Sequence, residues 1–341
     1  MKSKALSNRF VPGLLGGLAL AGGLWLLLLA GQMGRAVPNS QWIEKAYEHK
    51  LALAAAVEQP KLLIVGGSAA MFGLDSGALE QALGRPVINL GVNAGILAPY
   101  IQSYARQVIK PGDWVLLPVE YPMFYGRYSI NLPFIDYWLS HPGFRRLDVN
   151  LVQLTQLAWI TPLSRVAEGY RGLPIGFKVS GLYGPQNLDQ RGDQINSAAS
   201  QQEIWMRGLV EGSEVQRYGA QAHGWNANWS SWKALADEVT AAGGCAVFIP
   251  PPMLDRQAYH HGKEQRFYAA LPQQARAHGL NYIGSPLETL YPMERFFDTN
   301  YHLNAASRSI YTTHVIERVK PVFDGCKARS LKSVQAPASD P

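Results

Sequence analysis

Hydrophobic residues are spaced differently along the chain, and their pattern divides it into segments of different kinds. Residues 11–33 contain no charged side chain, and about 23 apolar residues are enough to cross a bilayer core, which needs about 20. Residues 34–60 mix polar and apolar positions in the manner of a helical neck. After residue 60 the pattern changes to short apolar runs that end in glycine-containing turns, which is typical of buried strands.

These short apolar runs alternate with helical patterns in two parts of the chain. The runs predict strands at about 61–65, 86–91, 114–119, 245–249 and 281–283. The helical patterns cover residues 75–84, 98–109, 230–242, 265–278 and 305–319. Such alternation, with short loops between the elements, favours an α/β fold in which a parallel sheet is covered on both faces.

Residues 121–228 break this alternation. They are rich in Gly, Pro, Tyr and Gln and show no clear periodicity, so we interpret them as a long insertion with one or two helices near 150–158. The α/β domain then covers residues 61–326, and residues 327–341 are predicted to form a disordered tail.

The net charge of +6 and the pI of about 9.2 suggest at first a nucleic-acid or anionic-membrane partner. The charges are not clustered on the folded part, however. Residues 1–35 carry four basic and no acidic side chains, whereas basic and acidic residues are equal in number over 36–319. We therefore expect no nucleic-acid partner and read the basic N-terminus as a topology signal.

The basic residues Lys2, Lys4 and Arg9 precede the apolar run, and the positive-inside rule keeps such an end in the cytoplasm. Residues 1–10 are then cytoplasmic, residues 11–33 form an uncleaved transmembrane signal anchor in the bilayer, and the remainder is exported. A cleaved signal peptide is the alternative, because residues 30–32 offer a small-residue cleavage site. The apolar run is longer than a typical signal peptide core, which favours the anchor.

The first candidate for chemistry is Ser68, which follows the first predicted strand and the glycines Gly66 and Gly67. Sites of parallel α/β proteins gather at the carboxyl ends of strands. A serine exposed on such a turn can act as a nucleophile, with the N–H of Ser68 or Ala69 facing an oxyanion. The alternative is a serine that only caps a helix. Neither a G-x-G-x-x-G pattern nor a Walker lysine is present, so we expect no nucleotide and no other cofactor.

The second candidate is the pair Asp298 and His302, in a predicted loop before the last helix. A serine nucleophile needs a base, and the base needs a carboxylate that holds its tautomer. The alternative is a helix cap beside a surface histidine. We expect no metal, because no further ligand stands at a suitable spacing and the pair His260–His261 is a weak candidate.

The third candidate is the Gly/Asn-rich turn at residues 89–95, after the second strand. Its glycines allow close backbone approach, so the Gly91 N–H or the Asn93 amide can donate to an oxyanion. The alternative is an ordinary turn.

The order of these elements resembles the SGNH (GDSL-like) hydrolase superfamily: a serine after strand one, a Gly/Asn turn after strand two, and an Asp-His pair before the last helix. The anchor and the ending Tyr-His-Leu-Asn at 301–304 are most similar to its polysaccharide and teichoic-acid modification branch, which includes DltD and the alginate O-acetylation proteins. The resemblance implies a three-layer, flavodoxin-like parallel sheet. It also implies roles for four residues: Ser68 as nucleophile, His302 as base, Asp298 as its orienting carboxylate and Gly91 as oxyanion donor.

Two features depart from the family pattern. The third strand is followed by Glu120 and no asparagine occurs until Asn131, although the family uses an asparagine there as an oxyanion donor. Asn93 can substitute for it, and Glu120 is interpreted as a structural carboxylate rather than a site residue. The spacing between Asp298 and His302 is also one residue longer than the usual family spacing.

The resemblance implies a serine acyl-transfer enzyme in the bacterial inner membrane with its domain in the periplasm. It would O-acetylate a cell-surface glycan or exopolysaccharide, with a multi-span O-acyltransferase as partner. An esterase of the same fold and a non-catalytic glycan-binding subunit remain alternatives.

Several tryptophans of the region from 138 to 232 can stack on sugars or belong to the core: Trp138, Trp159, Trp205, Trp225, Trp229 and Trp232. Whether Cys245 and Cys326 pair stays open.

Overall fold

The computed structural model describes residues 3–124, 130–141, 150–221 and 229–335. Its helices in chain order are α1 Ser3–Ala30, α2 Pro38–Ala56, α3 Ser68–Gly73, α4 Ser76–Leu83, α5 Leu97–Val108, α6 Leu132–Ser140, α7 Leu151–Ile160, α8 Leu163–Arg171, α9 Ile204–Glu211, α10 Tyr218–Gln221, α11 Ser230–Ala241, α12 Gly262–Ala277 and α13 Ala305–Gln335. Its strands are β1 Leu62–Ile64, β2 Val87–Asn89, β3 Trp114–Leu117, β4 Cys245–Phe248, β5 Met253–Leu254 and β6 Leu290–Tyr291. The chain separates into two compact units, one made of residues 1–41 and 129–178 and the other of residues 42–128 and 179–341.

The second unit contains a four-stranded parallel sheet in the order β2-β1-β3-β4. The predicted α/β class with a parallel sheet is therefore confirmed. The chain passes from β1 to β2 and then crosses to the other side of β1 to form β3. The carboxyl ends of β1 and β3 consequently border the crevice where parallel sheets place their sites.

Two smaller features of the sheet region differ from the sequence prediction. Residues 281–283 form no strand, and only an isolated parallel bridge joins Tyr282 to Phe248. The strands β5 and β6, which the apolar pattern did not indicate, pair in parallel as a separate two-stranded sheet.

Both faces of the main sheet are buried. Alternate side chains of a strand point to opposite faces, and Leu62, Ile64 and Leu116 on one face pack in a single core with Val315 and Phe323 of α13. Side chains on the other face are buried as well: Leu63, Val115 and Phe248.

The last helix is longer than the apolar pattern predicts. The prediction ended this helix near residue 319 and placed a disordered tail from residue 327, but α13 continues to Gln335. A disulfide between Cys326 and Cys245 fastens α13 to β4. No glycine or proline follows Gly325 before Pro337, so the local sequence allows the helix to continue. Residues 336–341 of the predicted tail lie outside the described residues.

The first unit contains the apolar N-terminal helix. The stretch Phe10–Ala30 of α1 is long and apolar enough to span a membrane, with a mean hydropathy of 2.0. Arg165 of α8 is buried and forms an ion pair with Asp136 of α6 at 2.7 Å. The same guanidinium donates to Gln32 Oε1, in the turn that follows α1, at 2.9 Å. One buried cation therefore joins α6, α8 and the end of α1.

This unit changes the interpretation of residues 121–228 as one irregular insertion. Residues 129–178 form a compact unit with residues 1–41, whereas residues from 179 onward belong to the unit that holds the sheet. The sequence pattern did not indicate the division, because the contacts that define it, such as that of Arg165 with Gln32, join residues more than 100 positions apart.

A buried ion pair holds the amino-terminal edge of the sheet, and its loss is expected to be costly. Lys61 Nζ lies 2.8 Å from Asp113 Oδ2, both side chains are fully buried, and Asp113 also accepts from the backbone N–H groups of Lys61 and Lys110. Asp113→Ala leaves the Lys61 charge without a partner, so we expect the free energy of unfolding to fall by about 3–5 kcal/mol. Urea unfolding of the detergent-solubilised chain measures this loss.

The matched control is Asp237→Ala, which removes an exposed partner of Lys233 on α11. That change is expected to cost less than about 1 kcal/mol. Equal losses in the two variants would contradict the role given to the buried pair.

Candidate active site

Ser68 is the first residue of α3 and lies close behind the carboxyl end of β1. The preceding Gly67 lies where the chain has no room for a side chain. A Cβ there would overlap the Glu120 carboxylate and come within 2.6 Å of the backbone nitrogen of Ala94. The glycine thus permits the tight turn that presents Ser68, whose side chain is half-buried.

Asp298 and His302 lie together in the loop before α13. The loop folds back on itself, because Phe296 and Leu303 form an antiparallel bridge and the Phe297 N–H donates to the His302 carbonyl. This places His302 Nδ1 2.7 Å from Asp298 Oδ1, with both side chains buried. The spacing of four residues between them is therefore compatible with the hydrogen bond that the prediction required.

Asp298 has a second partner in Tyr183, whose hydroxyl donates to Asp298 Oδ2. Burial opposes ionisation of this carboxyl, but the charge and hydrogen bond of His302 and the hydrogen bond of Tyr183 outweigh it. The pKa of Asp298 is consequently lower than the ordinary value. An ionised Asp298 accepts the Nδ1–H of His302, which leaves Nε2 as the basic nitrogen.

The His302 ring lies against the helix that begins with Ser68. It stacks on Phe72 with the ring centroids 4.2 Å apart and an angle of 3° between the planes. Phe72 is one helical turn after Ser68. Among the described residues no hydrogen bond joins the Ser68 hydroxyl to His302, and catalytic hydrogen bonds are often long before substrate binds.

Most of the N–H groups expected to donate to an oxyanion already donate hydrogen bonds to side chains of the protein. The Ala69 N–H donates to Glu120 Oε1 at 2.9 Å, and the Gly91 N–H donates to Asn89 Oδ1 at 2.9 Å. The structure therefore differs from the prediction that Gly91 or Ala69 presents a free donor, because neighbouring side chains already satisfy both groups. Asn93 uses its Oδ1 to accept from the Gly95 N–H, so its amide nitrogen is the part that remains to donate.

Glu120 lies directly behind the Ser68 turn. Its carboxylate accepts from the N–H groups of Gly67 and Ala69, at 3.0 and 2.9 Å, and its side chain is almost fully buried. Burial raises the pKa of Glu120, while the two backbone donors and the charge of His302 oppose that rise. The side chain that the sequence favoured as structural thus shapes the turn that carries the candidate nucleophile.

Substitution of Glu120 by glutamine tests this assignment through pH. A carboxyl group whose pKa is raised in the folded protein stabilises the fold at pH values below its ordinary pKa of 4.5. That stabilisation is lost as the pH rises through the pKa of the folded state. The difference in unfolding free energy, wild type minus Glu120→Gln, should therefore fall as the pH rises above 4.5. The fall is about 1.4 kcal/mol for each unit of raised pKa. Urea unfolding at several pH values measures it.

Glutamine offers one acceptor oxygen instead of two. The variant is therefore also expected to lose some unfolding free energy at every pH. Glu238→Gln on the exposed face of α11 is the matched control. A difference between wild type and Glu120→Gln that stays constant with pH would contradict the assignment.

A buried polar network supports the turn after β2. Asn89 Nδ2 donates to the Ala70 carbonyl and to Asp193 Oδ1, and Asp193 also accepts from the backbone and hydroxyl of Ser76. Lys50 of α2 is fully buried and donates to the Gly91 carbonyl. Desolvation lowers the pKa of Lys50 to about 7, against the opposing charges of Asp193 and Asp189.

Three of these residues were not found from the sequence. Tyr183 and Asp193 lie in the segment without periodicity, and Lys50 lies in the neck helix, so none stands at a spacing that points to the site. For the turn after β2, the sequence offered only the Gly/Asn-rich composition of residues 89–95. That composition indicates a turn, but it does not reveal that the Gly91 N–H donates to the Asn89 side chain.

The remaining candidates are placed as follows. In the part of the chain that the structure describes, no three His, Cys, Asp or Glu side chains are grouped as metal ligands. His260 pairs with Asp255 at 2.6 Å. Three of the tryptophans proposed for sugar stacking are buried core residues, Trp138, Trp229 and Trp232. Trp159 and Trp205 are exposed, and Trp225 lies outside the described residues.

The fold and the site together define a mixed α/β protein with a serine and an Asp–His pair at the carboxyl edge of a parallel sheet. No family model, curated protein or solved structure matches the chain.

Proposed function

We propose that this protein is an exported, membrane-anchored serine acyl-transfer enzyme of the SGNH type. The observation that carries the proposal is the hydrogen bond between Asp298 and His302, together with the stacking of His302 on Phe72 of the helix that begins with Ser68. The proposal makes Ser68 the nucleophile, His302 the base and Asp298 its orienting carboxylate, three residues of the second unit from distant parts of the sequence.

The reaction has two stages. In the first, His302 Nε2 takes the proton of the Ser68 hydroxyl while Oγ attacks the carbonyl carbon of the acyl donor. The bond from that carbon to the donor oxygen breaks, and His302 returns the proton to the leaving oxygen. In the second, His302 deprotonates a hydroxyl of the acceptor, which attacks the acyl-Ser68 ester. Ser68 leaves as its alkoxide and recovers the proton from His302, so the ester is transferred without net proton change.

The acceptor in this proposal is a hydroxyl of a cell-surface glycan or exopolysaccharide, and the acyl group is acetyl. The resemblance to the polysaccharide-modification branch supports both, and it implies a multi-span O-acyltransferase as the source of the acyl group. The apolar helix Phe10–Ala30 supports anchoring in the inner membrane of a bacterium, and the basic residues before it support a periplasmic domain. Trp205 of α9 is an exposed indole of the second unit that can stack on a sugar ring.

One observation favours a second candidate, a non-catalytic glycan-binding subunit. The N–H groups of Ala69 and Gly91 are already hydrogen-bonded, and the loss of one oxyanion donor can cost about 100- to 1000-fold in rate. A site with few free donors can retain the fold and still turn over poorly.

The experiment uses the full-length chain in detergent or nanodiscs with a fluorophosphonate, which reacts covalently with activated serines, and with an activated acetyl ester. We expect one label per chain, located at Ser68, and an acetyl-enzyme detectable by intact mass. Addition of an acetylatable oligosaccharide should yield an acetylated glycan beyond the hydrolysis seen with water alone.

Each result has a separate meaning. Labelling with hydrolysis but no glycan acetylation would replace transfer by an esterase activity. Absence of labelling in folded protein would favour the binding subunit and overturn the catalytic proposal.

A further inference from the structure

Helix α7 of the first unit exposes an unusually apolar surface. No residue from Asn150 to Thr161 is charged. Leu151, Val152 and Trp159 are 76, 66 and 89% exposed, and Leu157 is the one buried side chain of the helix. An apolar surface of this kind is typical of a contact with lipid or with another protein.

The exposed apolar surface continues beyond α7. Leu163 at the start of α8 is 68% exposed, and Ile175, shortly after α8, is fully exposed. Tyr170 of α8 is about half exposed as well. The apolar side chains therefore belong to one stretch of the first unit and are not isolated residues.

Two hydrogen bonds tie this stretch to the apolar helix α1. The indole N–H of Trp25 donates to the Ala158 carbonyl of α7 at 2.7 Å, and the Tyr170 hydroxyl donates to the Leu28 carbonyl at 3.3 Å. The guanidinium of Arg35 lies 4.7 Å from the centre of the Tyr170 ring. The ends of α7 and α8 are thus fixed beside the last turns of α1.

The position of Trp25 sets the depth of α7. Trp25 lies five residues before the end of the stretch Phe10–Ala30, which corresponds to about 7 Å along the helix axis. The Ala158 carbonyl, which accepts the hydrogen bond of Trp25, therefore lies at the same depth as Trp25. When α1 crosses the bilayer, this depth is on the acyl-chain side of the boundary with the headgroups. Amphipathic interfacial helices bury their apolar side to about this depth.

We propose that α7 and the start of α8 lie in the lipid interface on the side where α1 ends, and form a second contact of the first unit with the bilayer. This inference rests on the proposed membrane-spanning role of α1. The occupant of the apolar surface is lipid, because the surface is continuous with a helix of the right length to be surrounded by acyl chains. The uncharged polar residues of α7 (Gln153, Thr155 and Gln156) are of a kind that the headgroup region accepts.

The test is quenching of tryptophan fluorescence by lipids brominated on their acyl chains near the headgroup. Full-length protein is reconstituted at one chain per nanodisc, which removes contacts between copies. We expect Trp159→Phe to lower the amplitude of the emission that the brominated lipids quench, relative to wild type. Trp232→Phe is the matched control, since Trp232 is fully buried in the second unit and its loss should leave the quenched signal unchanged.

Alkaline carbonate extraction of the native membranes separates the two proposals. Protein that resists extraction but shows the same quenched emission with and without Trp159 would overturn the interfacial position and leave the anchor intact. An unquenched Trp159 in the nanodisc would overturn lipid as the occupant and would assign this surface to water or to a partner protein. Protein released by carbonate would overturn the anchor together with the inference that rests on it.

Discussion

Replacement of Ser68 by alanine is expected to abolish acyl-enzyme formation and to lower the turnover of an acetyl ester by about a million-fold. The estimate follows from serine enzymes in which loss of the nucleophile removes the covalent route entirely. His302→Ala should cost a similar factor, because the serine hydroxyl is a weak nucleophile without its base. Steady-state rates with the full-length chain, together with intact-mass detection of the acetylated protein, measure both losses.

Matched controls distinguish these losses from damage to the fold. Ser309→Ala and His314→Ala replace exposed residues of α13 and should retain wild-type turnover. Tyr183→Phe removes one hydrogen bond to Asp298 and keeps the Asp298–His302 bond, so most of the activity should remain. Turnover of Ser68→Ala within ten-fold of wild type would contradict the assignment of the nucleophile.

Removal of the disulfide between Cys245 and Cys326 is expected to lower the free energy of unfolding by about 4–5 kcal/mol. The bond closes a loop of 81 residues, and the loss of chain entropy in the unfolded state grows with the length of the loop. The double substitution Cys245→Ala and Cys326→Ala therefore destabilises the second unit through its unfolded ensemble. Urea unfolding of the detergent-solubilised chain measures the loss.

Wild type unfolded with and without a reductant gives the same comparison without a change of sequence. An unfolding midpoint that responds neither to the reductant nor to the double substitution would contradict the stabilising role of the bond. Disulfides persist in oxidising compartments, so detection of this bond in protein isolated from native cells would support the proposed export.

The strands of the main sheet could be predicted because they are short, buried on both faces and bounded by glycine-containing turns. Observed β1 and β3 begin within one residue of the predicted runs. Helix α4 could be predicted for a local reason, since Asp75 accepts from the Ala78 N–H and Gly84 ends the helix with φ of +63°. These signals lie within a few residues of one another, so no knowledge of tertiary contacts is needed.

Other parts of the fold depend on contacts between distant residues. Arg165 has partners at Gln32 and Asp136, and Cys326 pairs with Cys245, which no local pattern reveals. The division into two units and the extension of α13 follow from such contacts. The same limitation applied to strands β5 and β6, which are two residues long and leave almost no periodicity to read.

In the site, the sequence indicates the residues to which the proposal assigns the chemistry, but it does not indicate how neighbouring side chains bind the backbone N–H groups there. The strand-to-helix turn indicated Ser68, and the acid–histidine spacing indicated Asp298 and His302. Glu120 and Asn89 engage N–H groups that the prediction treated as free donors. The reason is physical: a buried N–H must find an acceptor, and the sequence does not say whether that acceptor is substrate or a neighbouring side chain.

The order of the strands has a consequence for how the site can arise during synthesis. The strands β1, β2 and β3 lie within residues 62–117, whereas β4 is reached only after a further 127 residues and the Asp298–His302 loop only near the end. Contacts between such distant segments form late in folding, because the loop-closure cost precedes the gain. A chain still emerging during synthesis therefore contains Ser68 before it contains Asp298 and His302, so under the proposed mechanism a product truncated before that loop lacks the base.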